Sequence, residues 1–378
     1  MPTADELLNA HTTEALADVM TVAGAPPAAA LRGCGARLDG LTFSQRVTAV
    51  KEAVLADLPD DYPNFATVVR AARRQPGLTG WMTFPLNEAV AERALAHRVF
   101  EPALALLADL TPLLTAETAV RPFVRHDLHR ALRTIRSWTA HSDPHVRRLA
   151  SEGTRPRLPW ASRLPELITD PTPALPVLDA LYRDTSEYVR RSVANHLNDI
   201  SRDHPQMAVT TAARWLTAPA PTTPAVVRHG LRTLVKAGHP EALSLLGHDP
   251  DAAVDVTGPD VHTQEVRIGD HLVFHYAVTN TGSRTVRLAI DYVIHHQKAN
   301  GTLTPKVFKL TTRSLAPQER WSGLRRHSFR PLSTRRYHPG LHRVQLQVNG
   351  RPYGPADFTL TGGSPTQART DAGRSASG

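Results

Sequence analysis

Asp143-Pro-His-Val-Arg-Arg-Leu-Ala150, Ser186-Glu-Tyr-Val-Arg-Arg-Ser-Val193 and Pro224-Ala-Val-Val-Arg-His-Gly-Leu231 are three versions of one pattern. Aligning Val146, Val189 and Val227 gives steps of 43 and 38 residues, at the roughly 40–47-residue period of HEAT and armadillo arrays once loop variation is allowed. On a helix, each valine and the residue about four positions later share one face, while the arginine pair projects from another. If the valines pack on the neighbouring repeat, Arg147, Arg148, Arg190 and Arg191 fall in register along one concave surface. Such a row is either a track for a phosphate backbone or a set of helix-surface ion pairs.

Upstream of this array the pattern is also helical. Leu104, Leu107 and Leu110 recur at three-residue spacing within Ala103–Leu114. Ser44 and the Asp143–Pro144 pair are start signals, and prolines at 171, 173, 219 and 221 punctuate rather than interrupt. After Pro250 the period changes to two. Val266–Asn280, Thr285–His295, Thr304–Leu310, Leu341–Val348 and Asp357–Leu360 alternate apolar and polar residues, and Asn300–Gly301 and Asn349–Gly350 are hairpin-turn signals. The fold class expected is multidomain, α then β. An α-solenoid of HEAT-like helical repeats covers residues 1–255, an immunoglobulin-like β-sandwich covers 260–362, and a disordered tail covers 363–378.

The formal charge of +9 is unevenly spread. Residues 121–163 hold 10 arginines against Asp127, Asp143 and Glu152, and residues 263–378 hold 17 basic against 6 acidic side chains. The remainder is acidic, which suits a protein that grips a polyanion with two basic regions; an arginine-rich composition decorating a solvated surface is the plainer reading. No apolar run approaches a membrane span, and the start shows no secretory signal. The single cysteine, Cys34, excludes a disulfide framework and reads as a spectator thiol. Pairs among the 19 histidines lack a companion ligand at a metal-binding spacing. No metal site and no cofactor is expected, and a cytoplasmic location is.

Chemistry concentrates in Asp143–Arg163, DPHVRRLASEGTRPRLPWASR. A helix begins at Asp143–Pro144 and ends near Glu152, where Gly153 can take the left-handed conformation. The following loop presents Arg155, Arg157 and Trp160 between Pro156 and Pro159, a set suited to phosphates and to a base or sugar face. Glu152 at its mouth would repel a phosphate and suits a substrate that develops positive charge. Equally, it is placed for a salt bridge to Arg148 one turn earlier, and Trp160 for the core.

Trp81-Met-Thr-Phe-Pro-Leu-Asn-Glu88, Ala119-Val-Arg-Pro-Phe123, the Arg147–Trp160 stretch and Ser186–Ile200 together closely resemble the AlkC family of bacterial alkylpurine DNA glycosylases, a HEAT-like group related to AlkD. The resemblance covers nearly the whole chain. It implies a monomeric, nucleoid-associated base-excision repair enzyme that acts on double-stranded DNA carrying alkylated bases. Such enzymes cleave the N-glycosidic bond of the cationic bases 3-methyladenine, 3-methylcytosine and 1-methyladenine without swinging the nucleotide into a deep pocket. By motif it places catalytic roles on Glu152, Glu117 and Trp160. Arg147, Arg148, Arg155, Arg157, Arg190 and Arg191 would then hold DNA, joined in the second domain by Arg325 and Arg326 within a cluster that includes Arg330, Arg335 and Arg336. No lysine lies near the SEGTRPRLPW loop, so no Schiff-base lyase step is expected. The alternative is a non-catalytic HEAT scaffold that binds nucleic acid or an acidic protein.

Overall fold

The computed structural model describes residues 3–331 and 336–362; Arg335 and the expected tail 363–378 lie outside the described residues. The chain divides into two compact units, Met1–Thr233 and Leu234–Gly378.

The first unit is helical. The three repeated segments form the helices Pro144–Glu152, Glu187–Ile200 and Thr223–Gly230, each packed on the next. Val146, Val189 and Val227 are all buried, as the repeat requires. Where the first two helices meet, the Ser192 hydroxyl donates to the Ser151 hydroxyl oxygen at 2.9 Å. Asp143 caps its helix by accepting from the His145 amide at 2.7 Å, with Pro144 in the first turn. Upstream, Thr42 rather than Ser44 caps the Phe43–Asp57 helix, because Gln45 three residues on completes a reciprocal capping box. No helix among the described residues is long and apolar enough to cross a membrane.

The second unit carries most of the Arg232–Ala237 helix and all of Pro240–Leu245, which the sequence pattern groups with the repeats. Their loops hydrogen-bond to strands: Gln347 Nε2 donates to the Lys236 carbonyl at 3.0 Å and Asn349 Nδ2 to the Asp249 carbonyl at 2.7 Å. The strands are β1 (Val254–Val261), β2 (Glu265–Arg267), β3 (His271–Asn280), β4 (Val286–Gln297), β5 (Leu303–Leu315), β6 (Arg320–Ser328), β7 (Gly340–Val348) and β8 (Arg351–Thr361). They form two sheets, ordered β1-β3-β6 and β2-β8-β7-β4-β5. Phe274, Tyr292, Phe329, Leu346 and Phe358 fill the space between them. Two strands have no clear alternation in the sequence. β1 contains Pro259, tolerated because it is an edge strand whose register shifts between Thr257 and Asp260. β6 is also an edge, and Arg325 and Arg326 on it are both exposed.

The Asn349–Gly350 hairpin turn joins β7 to β8 with φ of 43° and 83°. Only glycine fits the second position: an added Cβ would lie 2.3 Å from the Gly238 Cα. Gly350→Ala is therefore expected to lower the stability of the protein by at least about 2 kcal/mol, read from the midpoint shift in urea unfolding followed by circular dichroism.

Candidate active site

The loop after the Pro144–Glu152 helix is shaped by packing rather than by a left-handed cap. Gly153 has φ −65°, a right-handed value open to any residue. A side chain is excluded by space instead, since a Cβ there would lie 2.4 Å from Val120 Cγ2. From the Arg121–His126 helix, the buried Arg121 side chain then gathers the loop by its carbonyls. Its Nε donates to Ser162 at 2.7 Å, and its Nη1 donates to Arg155 at 2.8 Å and to Gly153 at 3.2 Å. Burial and the neighbouring Arg155 charge lower its pKa to about 10, so it keeps its proton at neutral pH. The loop so held turns outward at Trp160, which is 85% exposed with φ 61°. A bulky residue in the left-handed region costs backbone energy that ordinary core packing does not explain.

Beneath this loop the charged side chains alternate in sign. Glu117 accepts from Arg148 Nη1 at 2.5 Å and from the Thr115 hydroxyl at 2.8 Å. Arg148 Nη2 lies 3.5 Å from Glu152 Oε1. The same Oε1 accepts from Arg155 Nη1 at 2.6 Å, and Arg155 pairs in bidentate fashion with Asp199 at 2.9 and 3.2 Å. The order Glu117, Arg148, Glu152, Arg155, Asp199 ends in a carboxylate on both sides. The Arg148 guanidinium also stacks over the half-exposed Tyr188 ring at 4.8 Å. Removing one member of such a buried set leaves an uncompensated charge, at about 3–5 kcal/mol.

The residues expected from the sequence are therefore brought together in part. Glu152, Glu117, Arg148 and Arg155 share one network. Arg155 is not offered to solvent as a loop arginine would be; it is 7% exposed and committed to two carboxylates. Arg147 pairs with Asp184 at 2.6 Å, Arg157 pairs with Asp203 at 2.9 Å, and Arg190 donates to the carbonyls of Asp184 and Thr185. The expected row of phosphate-facing guanidiniums is thus reduced, in this unit, to Arg191, which stays exposed although its Nη2 donates to the equally exposed Glu187 at 2.9 Å. In the second unit, Arg325 and Arg326 are exposed on β6. Cys34 is fully buried, and burial raises its pKa. No group of three His, Cys, Asp or Glu side chains able to hold a metal occurs among the described residues. Sequence reasoning missed Asp199, whose partner lies 44 residues away, and Glu88, whose Oε1 is buried without a hydrogen-bond partner. Only the position of Asp199 in the last turn of a repeat helix, where a negative charge is otherwise unwelcome, hints at it.

The chain resembles proteins of known sequence or structure over most of its length. Residues 255–362 match the model of the C-terminal Ig-like domain of the uncharacterised protein YhaZ. The uncharacterized protein YhaZ of Bacillus subtilis (strain 168) is 37% identical over 321 residues, which is 85% of this chain and 88% of that protein. A solved structure, Pseudomonas fluorescens alkylpurine DNA glycosylase AlkC bound to DNA containing an abasic site analog, superposes with a TM-score of 0.88 at 35% identity, covering 95% of this chain and all of that one.

His196 supplies a test of the network's burial. It is fully buried beside Arg155, and its Nδ1 donates to the Ser151 carbonyl at 3.0 Å. Desolvation, reinforced by the Arg155 charge, lowers its pKa to about 3. The unfolded chain, with an ordinary histidine pKa near 6.5, takes up that proton first. Stability should therefore fall as pH drops from about 6.5 towards 3, at about 1.4 kcal/mol per unit from this group alone. His196→Gln should flatten the dependence of the denaturation midpoint on pH across that window.

Proposed function

Because the chain belongs to the AlkC family, we propose that it is a monofunctional DNA glycosylase that hydrolyses the N-glycosidic bond of cationic N-methylated bases, namely 3-methyladenine, 3-methylcytosine and 1-methyladenine, in double-stranded DNA. The observation that carries this reading is the pair of carboxylates, Glu117 and Glu152, fixed on the single guanidinium of Arg148 in the segment that also presents Trp160 to solvent. A base already carrying positive charge is a good leaving group. When the C1′–N bond breaks, the bonding electrons neutralise the base and positive charge passes to the sugar, as in other glycosyl hydrolyses. Carboxylates held in advance stabilise that charge without having to reorganise. Water then adds to C1′ and loses a proton. Glu117, the more open of the two at 18% side-chain exposure against 6% for Glu152, is the natural acceptor for the water's hydrogen. Trp160 supplies a flat face for the lesion nucleotide, and no deep pocket for an extruded base is required. Arg191, Arg325 and Arg326 make phosphate contacts, whereas Arg147, Arg155, Arg157 and Arg190 act mainly by holding the protein's own carboxylates and carbonyls.

One observation favours a second reading. Glu152 is buried between two arginines, as it would be in a non-catalytic scaffold that merely binds nucleic acid. Release of free base from methylated duplex DNA decides between them. The glycosylase is expected to release 3-methyladenine or 3-methylcytosine, and Glu152→Gln to slow release by about 10²- to 10³-fold while retaining DNA affinity. Binding without release, at low or high salt, would establish the scaffold instead. Arg325→Ala combined with Arg326→Ala should weaken binding to undamaged duplex and reduce its salt slope by about two counterions, measured by fluorescence anisotropy against salt concentration.

A further inference from the structure

A groove of about 260 Å³ opens beside Trp160 in the helical unit, lined also by Phe84, Glu88, Lys51, Thr118 and Ser162. It is smaller than the roughly 300 Å³ at which drug-sized sites begin, and suits one flat ring system. Its aromatic side is built: Phe84 is braced by Trp81 at 6.1 Å and by Phe43 at 5.9 Å between ring centroids. Its polar side is unfinished. Glu88, from the Thr83–Ala96 helix, has its Oε1 buried with no hydrogen-bond partner. A buried carboxylate oxygen left unpaired costs free energy unless something arrives to satisfy it. Burial accordingly pushes the Glu88 pKa up, opposed by the Thr118 hydroxyl and the Lys51 charge. The cation nearby is already committed, since Lys51 Nζ lies 2.5 Å from Glu92 Oε2. The groove therefore offers a carboxylate, not an ammonium, to an occupant. It also shares backbone with the carboxylate network, because Thr118 directly follows Glu117 and the Ser162 carbonyl is held by Arg121.

We propose that this groove is a subsite for a flat cationic nitrogen heterocycle, the N-methylated base itself, gripped between the Glu88 carboxylate and the Trp160 indole. The identity of the occupant rests on the glycosylase reading; the preference for a cation rests on the groove. The Glu88 carboxylate turns to accept from an exocyclic amino group, the ring charge is met by the same carboxylate, and the indole face adds a cation–π contact. A neutral base loses the second and third of these. Because the groove lies open at the surface, a tilted or departing base reaches it without entering a deep pocket. Selection for charged lesions then arises in the protein as well as in the weakness of their glycosidic bonds.

The test is a ligand-observed NMR titration of the full chain with 1-methyladenosine, a cation at neutral pH, and with neutral adenosine. The unaltered protein is expected to bind 1-methyladenosine on the order of tenfold more tightly. Glu88→Gln should erase that preference, with folding checked by thermal melting. Trp160→Ala, at an exposed position that tolerates truncation, should weaken 1-methyladenosine binding even if the Glu88 variant fails to fold. Equal binding of the two nucleosides, a preference that survives Glu88→Gln, or an unchanged affinity in Trp160→Ala would overturn the proposal. Failure to release base from methylated DNA would count against the glycosylase reading alone, and the nucleoside preference would stand.

Discussion

A buried guanidinium, that of Arg155, sets the terms for the helical unit. Taking it out of water is costly, and the cost is offset only because Glu152 and Asp199 both close on it. Those carboxylates sit on different helices, one at the end of Pro144–Glu152 and the other near the end of Glu187–Ile200. The ion pair thus ties two repeats together beside the buried Leu197 and Ile200. The Arg155 backbone is used as well, its carbonyl accepting from Arg121. With that point fixed, the rest of the loop has one route, and the route ends with Trp160 outside. Glu152 is aimed by the same constraint, with its Oε1 held between Arg148 and Arg155.

Much of the fold was legible because it is written in local periods. The valine register at 146, 189 and 227 located three helices that do stack in sequence, and the two Asn–Gly pairs located two hairpin turns. Helix starts were legible to within a residue or two, Thr42 displacing Ser44 once Gln45 is seen as its partner. β1 and β6 were not, because β1 loses its sequence alternation at Gly258–Pro259 and β6 carries Arg325 and Arg326 in succession. The site was legible in membership and not in arrangement. Arg155 in Gly-Thr-Arg-Pro-Arg has the composition of a surface loop, and nothing local reveals that a carboxylate 44 residues away removes it from solvent. At Gly153 the sequence marks the helix end, but Val120, not a positive φ, forbids a side chain. Glu88 looked like any acid on a helix; only the groove beside it shows that one of its oxygens is buried and unpaired.

Positive charge on this protein is accordingly of two kinds. Arg121, Arg147, Arg155 and Arg157 spend theirs on the protein's own carboxylates and carbonyls, so the high arginine count of residues 121–163 overstates what is free to meet a polyanion. Arg191, Arg325 and Arg326 remain exposed. The proposed chemistry needs both kinds: free cations to draw in a backbone, and committed ones to keep a set of carboxylates rigid. Rigidity matters because a charge-stabilising group contributes most when it has no reorganisation left to do.

The central claim is that Glu117 and Glu152 act as one unit through Arg148. A double-mutant cycle on the single-turnover rate of base release from duplex DNA bearing one 3-methylcytosine tests it most directly. If the carboxylates share one charge field, Glu117→Gln, Glu152→Gln and the double variant should lose rate to similar extents, so that the coupling equals either single loss, about 2.7–4 kcal/mol. Losses that simply add, or single variants that release base at the unaltered rate, would contradict it.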